Sequence, residues 1–226
     1  MTRKLFLFQF LVLAGALAAT AILYPHLPGT VATHWDWRGQ PNGYSSREML
    51  YLVGPGLLAA FMVLTAVLPW LSPKRFEVDG FRSTYTRIMV YVYILIAYLD
   101  AITLGLASGR AIDAGRAIMG GVCLFLVLIG NLMGKVRRNF YIGVRTPWTL
   151  ASEKVWNSTH RLAAKTLFAS GLLGLASAIA GLRTLPIFFV LAGALIPVIY
   201  SLVYYKQLER RGELENGAQN PLGSAQ

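Results

Sequence analysis

Six runs of apolar residues, each about as long as a bilayer is thick, limit what this chain can become. They are Leu5–Tyr24, Met49–Leu71, Ile88–Ala107, Ala117–Gly134, Leu162–Gly181 and Leu185–Tyr205. A helix rising ~1.5 Å per residue needs ~20 such residues to cross hydrocarbon. Lipid offers no partner to a bare backbone amide, so each crossing segment must satisfy its own hydrogen bonds, as a helix does. The reading is an all-α integral membrane protein with six transmembrane helices. Pro186 and Pro197 lie at the start and in the interior of the last run, where a membrane helix tolerates them; Pro197 is expected to bend it.

Charge sets the orientation. Only 14% of the 226 residues are charged, yet the net charge is +11. With the N-terminus inside, only Arg38, Arg47, Arg110, Arg116 and Arg183 of the 21 basic residues fall outside. The other 16 fall on the inner side, so both termini are expected in the cytoplasm. The positive balance then faces anionic lipid headgroups, and no direct nucleic-acid binding is expected, because no basic recognition helix or zinc pattern is present. The single thiol, Cys123, cannot form an internal disulfide and reads as packing. Met1–Lys4, Leu5–Ala18 and Ala19-Thr20-Ala21 also fit the three regions of a cleaved secretory signal. Six spans account for the loops better than five.

The organisation expected is a first helical hairpin (1–71) carrying an outer loop (25–48), and a central helix pair (72–134). An inner loop (135–161), a last helical hairpin (162–206) and a disordered tail (207–226) follow. The tail from Glu209 is rich in Gly, Asn and Gln and has no aromatic residue.

The outer loop is dense in polar and aromatic groups. Pro28-Gly29, Gly39 and Pro41-Asn42-Gly43 are turn signals, and Thr30–Trp37 reads as a short extended segment. Alternation puts His34 and Asp36 on one side and Trp35 and Trp37 on the other. Indoles at this depth can anchor the chain at the membrane interface. The same cluster, with Gly39, Asn42 and Tyr44, can bind an amphipathic peptide. His26, His34 and Asp36 match no zinc spacing, and no metal or other cofactor is expected.

The inner loop combines Lys135, Arg137 and Arg138 with the aromatic stretch Asn139–Val144, in which Gly143 permits a bend. Pro147 forces Thr146 out of helical geometry. Thr149 or Ser152 then caps a new helix, with Glu153 in its first turn, where a negative charge suits the dipole. Glu153, Trp156, Asn157 and His160 recur at helical spacing, as on one face. Arg161 marks the membrane border. The hydrogen-bonding side chains of Asn131, Asn139, Thr146, Thr149, Asn157 and His160 exceed what interfacial anchoring needs.

Residues 130–161, GNLMGKVRRNFYIGVRTPWTLASEKVWNSTHR, closely resemble the C-terminal signature of the SdpI family of bacterial membrane immunity proteins. The resemblance rests on Gly130-Asn131, the NFYIG segment with Tyr141 and Gly143, and Arg145 through Leu150 with Trp148. Val155-Trp156 and Thr159-His160-Arg161 complete it. The outer loop is similar to the domain of unknown function that accompanies the signature, through Pro28, Thr33-His34, Gly39 and Pro41-Asn42-Gly43-Tyr44. Two departures bear on partner specificity: Trp35-Asp36-Trp37 is more aromatic than usual, and Gly134 stands where many relatives have proline. The resemblance implies a six-span protein of the bacterial plasma membrane that guards against a secreted peptide toxin. It also implies a cytoplasmic partner, a transcriptional repressor held at the membrane when toxin is present. It does not imply an enzyme. No H-E-x-x-H or G-x-S-x-G pattern occurs, and Glu153 and His160 lie two helical turns apart, too far for direct pairing.

Asp100 lies inside the third span. An ionised carboxylate there costs ~2.5–3.5 kcal/mol, so it is expected to face the bundle, either protonated or hydrogen-bonded to a tyrosine of another helix. A small transporter or exporter with Asp100 as coupling residue is the alternative function.

Overall fold

The computed structural model describes residues 3–71 and 78–214. Six of its helices are long and apolar enough to cross a membrane. We number the helices α1 (Arg3–Leu23), α2 (Met49–Leu71), α3 (Arg82–Ala107), α4 (Ala114–Met133), α5 (Pro147–Ala151), α6 (Glu153–Ile179) and α7 (Leu185–Arg210). The short α5 is the only one of these that does not span.

The structure moves several expected boundaries. α3 begins at Arg82, six residues before the expected start at Ile88, and α7 runs to Arg210, into the expected tail. Residues 215–226 of that tail, and 72–77 of the expected central helix pair, lie outside the described residues. α2 contains one wide π-helical turn, Leu52–Gly56, where the Leu57 amide reaches back five residues to the Leu52 carbonyl. Pro55 sits in this turn and brings no amide proton to the helix ladder.

The fold is also not purely helical. Thr30–Trp35 (β1) and Pro41–Ser46 (β2) pair antiparallel in a hairpin. The register changes twice around His34, which faces Gly43. The turn is Asp36–Gly39: of the expected turn signals Gly39 lies in it, whereas Pro41-Asn42-Gly43 is strand. Asp36 builds it: its carboxylate accepts the amides of Arg38 and Gln40, both at 2.8 Å.

Two apolar clusters lie at opposite ends of the bundle. Leu27, Val31, Leu50 and Leu104 seat the hairpin on α2 and α3. At the other end Phe81, Tyr85, Met89, Leu132, Met133, Val136, Ile142 and Trp156 form the larger core. Between them the N-terminal helices are tied by polar contacts suited to a dry interior. Gln9 donates to Thr65 Oγ1 (3.3 Å), and the hydroxyls of Tyr93 and Tyr85 donate to the Gln9 and Thr65 carbonyls (both 2.9 Å).

The outward faces invert soluble-protein logic. Ile22, Ile179, Phe188 and Ile199 are exposed, as a lipid solvent permits. Trp70, 82% exposed at the end of α2, fits an interfacial indole. In the C-terminal half, α4 and α6 approach backbone to backbone, because a Cβ at Gly130 would come within 2.6 Å of the Phe168 amide nitrogen.

Candidate functional site

The signature segment folds inward before it presents a surface. The four hydrogen-bonding positions of Asn139 are all used: Oδ1 accepts the amides of Tyr141 and Ile142 (both 2.7 Å), and Nδ2 donates to the carbonyls of Arg137 (2.8 Å) and Ile142 (3.1 Å). A fully buried amide with no spare valence organises a loop; it does not reach a partner. Gly143 then turns the chain at φ +107°, and a side chain there would overlap the His160 ring.

His160 is a structural clamp. Its Nδ1 lies 2.8 Å from the Trp156 carbonyl, which can only accept, so Nδ1 carries the proton. Its Nε2 accepts the Val144 amide at 3.1 Å. The ring stacks on Trp156, with centroids 4.0 Å apart, and the Trp156 indole N–H donates to the Val136 carbonyl at 2.8 Å. Both aromatic residues are buried.

The turn into α5 follows the proline rule. Thr146 is extended (φ −100°, ψ 160°), with Pro147 at the first helical position. Thr146 and Thr149 form a reciprocal capping box: the Thr146 amide donates to Thr149 Oγ1 (2.9 Å), and the Thr149 amide donates to Thr146 Oγ1 (3.3 Å). Thr149 therefore closes the cap that Thr146 begins, and Ser152 caps α6. Trp148 donates its indole N–H to Ser201 Oγ at 2.6 Å, tying the short helix to α7. No pattern in the sequence marked Ser201 as that partner.

One expectation about α6 does not hold. Glu153 and Asn157 are exposed, whereas Trp156 and His160 are buried. The four residues do not form one working face, because Val155, Trp156, Thr159 and His160 wrap around the buried side. What remains outside is basic. Lys135, Arg137, Arg145, Lys154 and Arg161 are exposed, joined by the acid Glu153 and by Asn131 and Pro147. Tyr141 is half-buried beside the core, and Arg145 also bonds the Phe140 carbonyl.

At the opposite end, the hairpin and the tips of the helices border a half-open cleft of about 430 Å³. Trp35, Gln40 and Pro41 line it from the hairpin, Leu106 from α3, and Asp113 and Arg183 from the C-terminal half. The floor is fixed by Gly39 (φ +77°): a Cβ there would meet the Gly115 amide nitrogen at 2.7 Å, so the turn rests directly on the start of α4. Asp113 caps α4 and draws in Arg116 (3.5 Å) and Arg183 (3.7 Å). Arg183 also donates to the Arg38 carbonyl at 2.8 Å, across the two halves of the chain. Asp113 could have been suspected as a helix cap from its place before Ala114; nothing in the sequence pointed to Arg183.

The loop residues singled out in the sequence divide. Trp35 lines the cavity; Trp37 lies outside it under the Arg38 guanidinium (4.5 Å), so the two indoles are not on one side. The strand ends at Trp35, and the alternation ends with it. His34 Nδ1 pairs with Asn42 Oδ1 at 2.5 Å, and Asp36 is half-buried and engaged in its own turn. Tyr44 is 62% exposed. Among the described residues no group of three His, Cys, Asp or Glu is placed to hold a metal ion.

Asp100 faces the bundle, 6% exposed, but it bonds no tyrosine. Tyr93 and Tyr98 donate instead to the carbonyls of Gln9 and Ala117.

Comparison with known proteins places these features in context. Residues 135–204 match the SdpI/YfhL protein family, and residues 11–59 match a domain of unknown function, DUF1648. The chain is 27% identical over 203 residues to the "Immunity protein SdpI" of Bacillus subtilis (strain 168), covering 88% of this chain and 95% of that protein. No solved structure matches. With six apolar helices and this similarity, the chain is a multi-pass bacterial membrane protein.

Proposed function

We propose, for a chain whose residues 135–204 match the SdpI/YfhL family, a membrane immunity role: protection of the cell against a secreted antibacterial peptide. The observation that carries this reading is the similarity to an immunity protein along nearly the whole of both chains. The hairpin cavity supports it and suggests where a peptide would act. In the orientation set by the loop charges, the hairpin is outside and the signature loop inside. The cavity is then a half-open cleft facing an arriving secreted peptide, with one indole wall and both signs of charge. An amphipathic peptide anchored by an aromatic or aliphatic side chain suits such a lining.

Signalling, in the same reading, uses the seam between the halves. A peptide in the cavity touches β1 and β2 on one side and the Asp113–Arg183 pair on the other. It shifts the balance between arrangements of the two halves by its difference in affinity for them. The exposed basic face of Lys135, Arg137, Arg145, Lys154 and Arg161 is the surface on which a cytoplasmic repressor or anionic headgroups would register that shift. The buried signature residues hold this face in shape. No catalytic role is assigned.

The test is expression in a bacterium sensitive to an amphipathic antibacterial peptide. Cells carrying the protein at the membrane survive the peptide; equal killing with and without it removes the immunity reading for that peptide. Trp35→Ala and Arg183→Ala, present at normal levels, lose protection if the cavity is the contact site. Unchanged protection moves the contact elsewhere.

A second reading draws on the buried Asp100. A small transporter or exporter coupled through that carboxylate would show substrate or proton flux in liposomes, abolished in Asp100→Asn.

A further inference from the structure

Asp100 is a carboxyl group that the fold encloses without a counter-charge among the described residues. It lies on α3, about two helical turns before the end that carries the hairpin. Its Oδ1 is buried and has no hydrogen-bond partner. The carboxyl presses on α2 at the wide turn, where a Cβ at Gly54 would overlap it and even its farther oxygen would be 3.0 Å away. Gly54 and Pro55 are themselves buried.

Most charged and titratable groups on the surrounding elements are engaged elsewhere, and His26 and Arg110, at the hairpin end, are exposed. On α2 and the segment after α1, Glu48 and Tyr24 bond each other, Tyr51 packs on Tyr24, and the Arg47 guanidinium lies over the Tyr24 ring. On the hairpin, His34 pairs with Asn42 and Asp36 holds its own turn. On α4, Asp113 holds Arg116 and Arg183. Of the tyrosines of α3 itself, Tyr85, Tyr93 and Tyr98 donate to the backbone carbonyls of Thr65, Gln9 and Ala117, and Tyr91 packs against the larger core at the other end.

We infer that Asp100 is a proton-binding site: it is held as a neutral carboxylic acid at neutral pH, against the wide turn of α2. Three points decide for a proton over a metal cation. A bare carboxylate in this setting is unfavourable, and no cationic side chain among the described residues offsets it. A cation such as Na⁺ needs several oxygen ligands and room for itself, whereas the carboxyl group is already in direct contact with the Gly54 backbone. A proton needs no volume. Binding and release are a simple acid–base equilibrium, carboxylate plus proton to carboxylic acid.

The location gives the site a consequence. The next inward-facing residue one turn along α3 is Leu104, which packs on Leu50, Leu27 and Val31 under the hairpin. Loss of the proton leaves a charge that draws water into the α2–α3 contact, directly below that seat. The site is thus placed to make hairpin packing depend on proton supply, independently of whether the protein confers immunity.

Infrared difference spectroscopy on the full-length protein in lipid nanodiscs tests this directly. The wild type is expected to show a protonated-carboxyl carbonyl band at neutral pH that disappears at alkaline pH, shifts with carbon-13 aspartate labelling, and is missing in Asp100→Asn. Absence of the band from the neutral wild-type spectrum overturns the inference, and that spectrum needs no variant to fold. So does a band that survives unchanged in Asp100→Asn. Replacing sodium by choline is the second arm: the proton site is expected to be indifferent, and a band that grows on sodium removal overturns it in favour of metal-ion binding.

Discussion

Gly143 and His160 share one space: the imidazole of the second fills the volume in which the side chain of the first would stand. The two residues are joined further by the Val144 amide, which follows Gly143 and donates to His160 Nε2 at 3.1 Å. A loop segment and a helix seventeen positions later are thereby locked through a neutral ring with one donor and one acceptor nitrogen.

Gly143→Ala breaks this lock twice, by the φ of +107° and by the overlap with the ring. Left-handed strain alone costs ~1–3 kcal/mol, and displacement of the ring adds the loss of a buried hydrogen bond, ~1–3 kcal/mol. The expected result is a clearly lower melting temperature for the purified protein in detergent. A melting curve that coincides with wild type refutes the lock.

Trp148 and Ser201 connect the short helix α5 to α7 through one hydrogen bond of 2.6 Å. A double-mutant cycle with Trp148→Phe and Ser201→Ala is expected to give a coupling of ~0.5–1.5 kcal/mol. Strictly additive effects on thermal stability mean that the bond contributes nothing.

Glu48, just before α2, gives the hairpin end an acid dependence. Its pKa is lowered from the ordinary 4.5 to about 2, chiefly by a hydrogen bond from the Ser46 side chain, then by its own backbone amide and the Tyr24 hydroxyl. A carboxyl depressed by folding contributes stability that is complete above the unfolded pKa and is lost as pH falls through the folded one. The margin of wild type over Glu48→Gln should thus be constant above about pH 4.5 and shrink steadily toward pH 2. Parallel melting-temperature series for both proteins measure it, and a margin that widens on acidification reverses the sign and the argument.

Orientation is open to labelling. Tyr44 and Lys135 are exposed at opposite ends of the bundle. In a Cys123→Ser background, an impermeant maleimide added to intact cells is expected to modify Tyr44→Cys at once and Lys135→Cys only after permeabilisation. The reverse pattern would turn the protein over, and equal labelling would contradict a bundle that separates the two ends.

How much of this was legible beforehand depended on the kind of signal. Long apolar runs report lipid directly, so Met49–Leu71 and the start of the last helix at Leu185 could be read to the residue. The non-helical Thr146 before Pro147 and the cap at Ser152 were legible because both rules are local. The hairpin was not. Pro41-Asn42-Gly43 has turn chemistry, yet the bulges around His34 and the contact of Gly39 with Gly115 put the turn earlier and made that tripeptide strand. The roles of Asn139 and His160 were also hidden. Their side chains read as recognition groups, and only tertiary packing shows that every polar atom is already engaged.

The wide turn at Leu52–Gly56 carries a lesson about phase. A helix advances by about 100° per residue, so the extra residue in that turn rotates everything before it relative to everything after. Deleting one position there would restore regular winding and swing Leu50 away from Leu27 and Val31, toward the lipid. The hairpin is thus aimed by an irregularity buried in the helix beneath it, and a gap of a single codon would point it in the wrong direction while leaving every side chain of the hairpin intact.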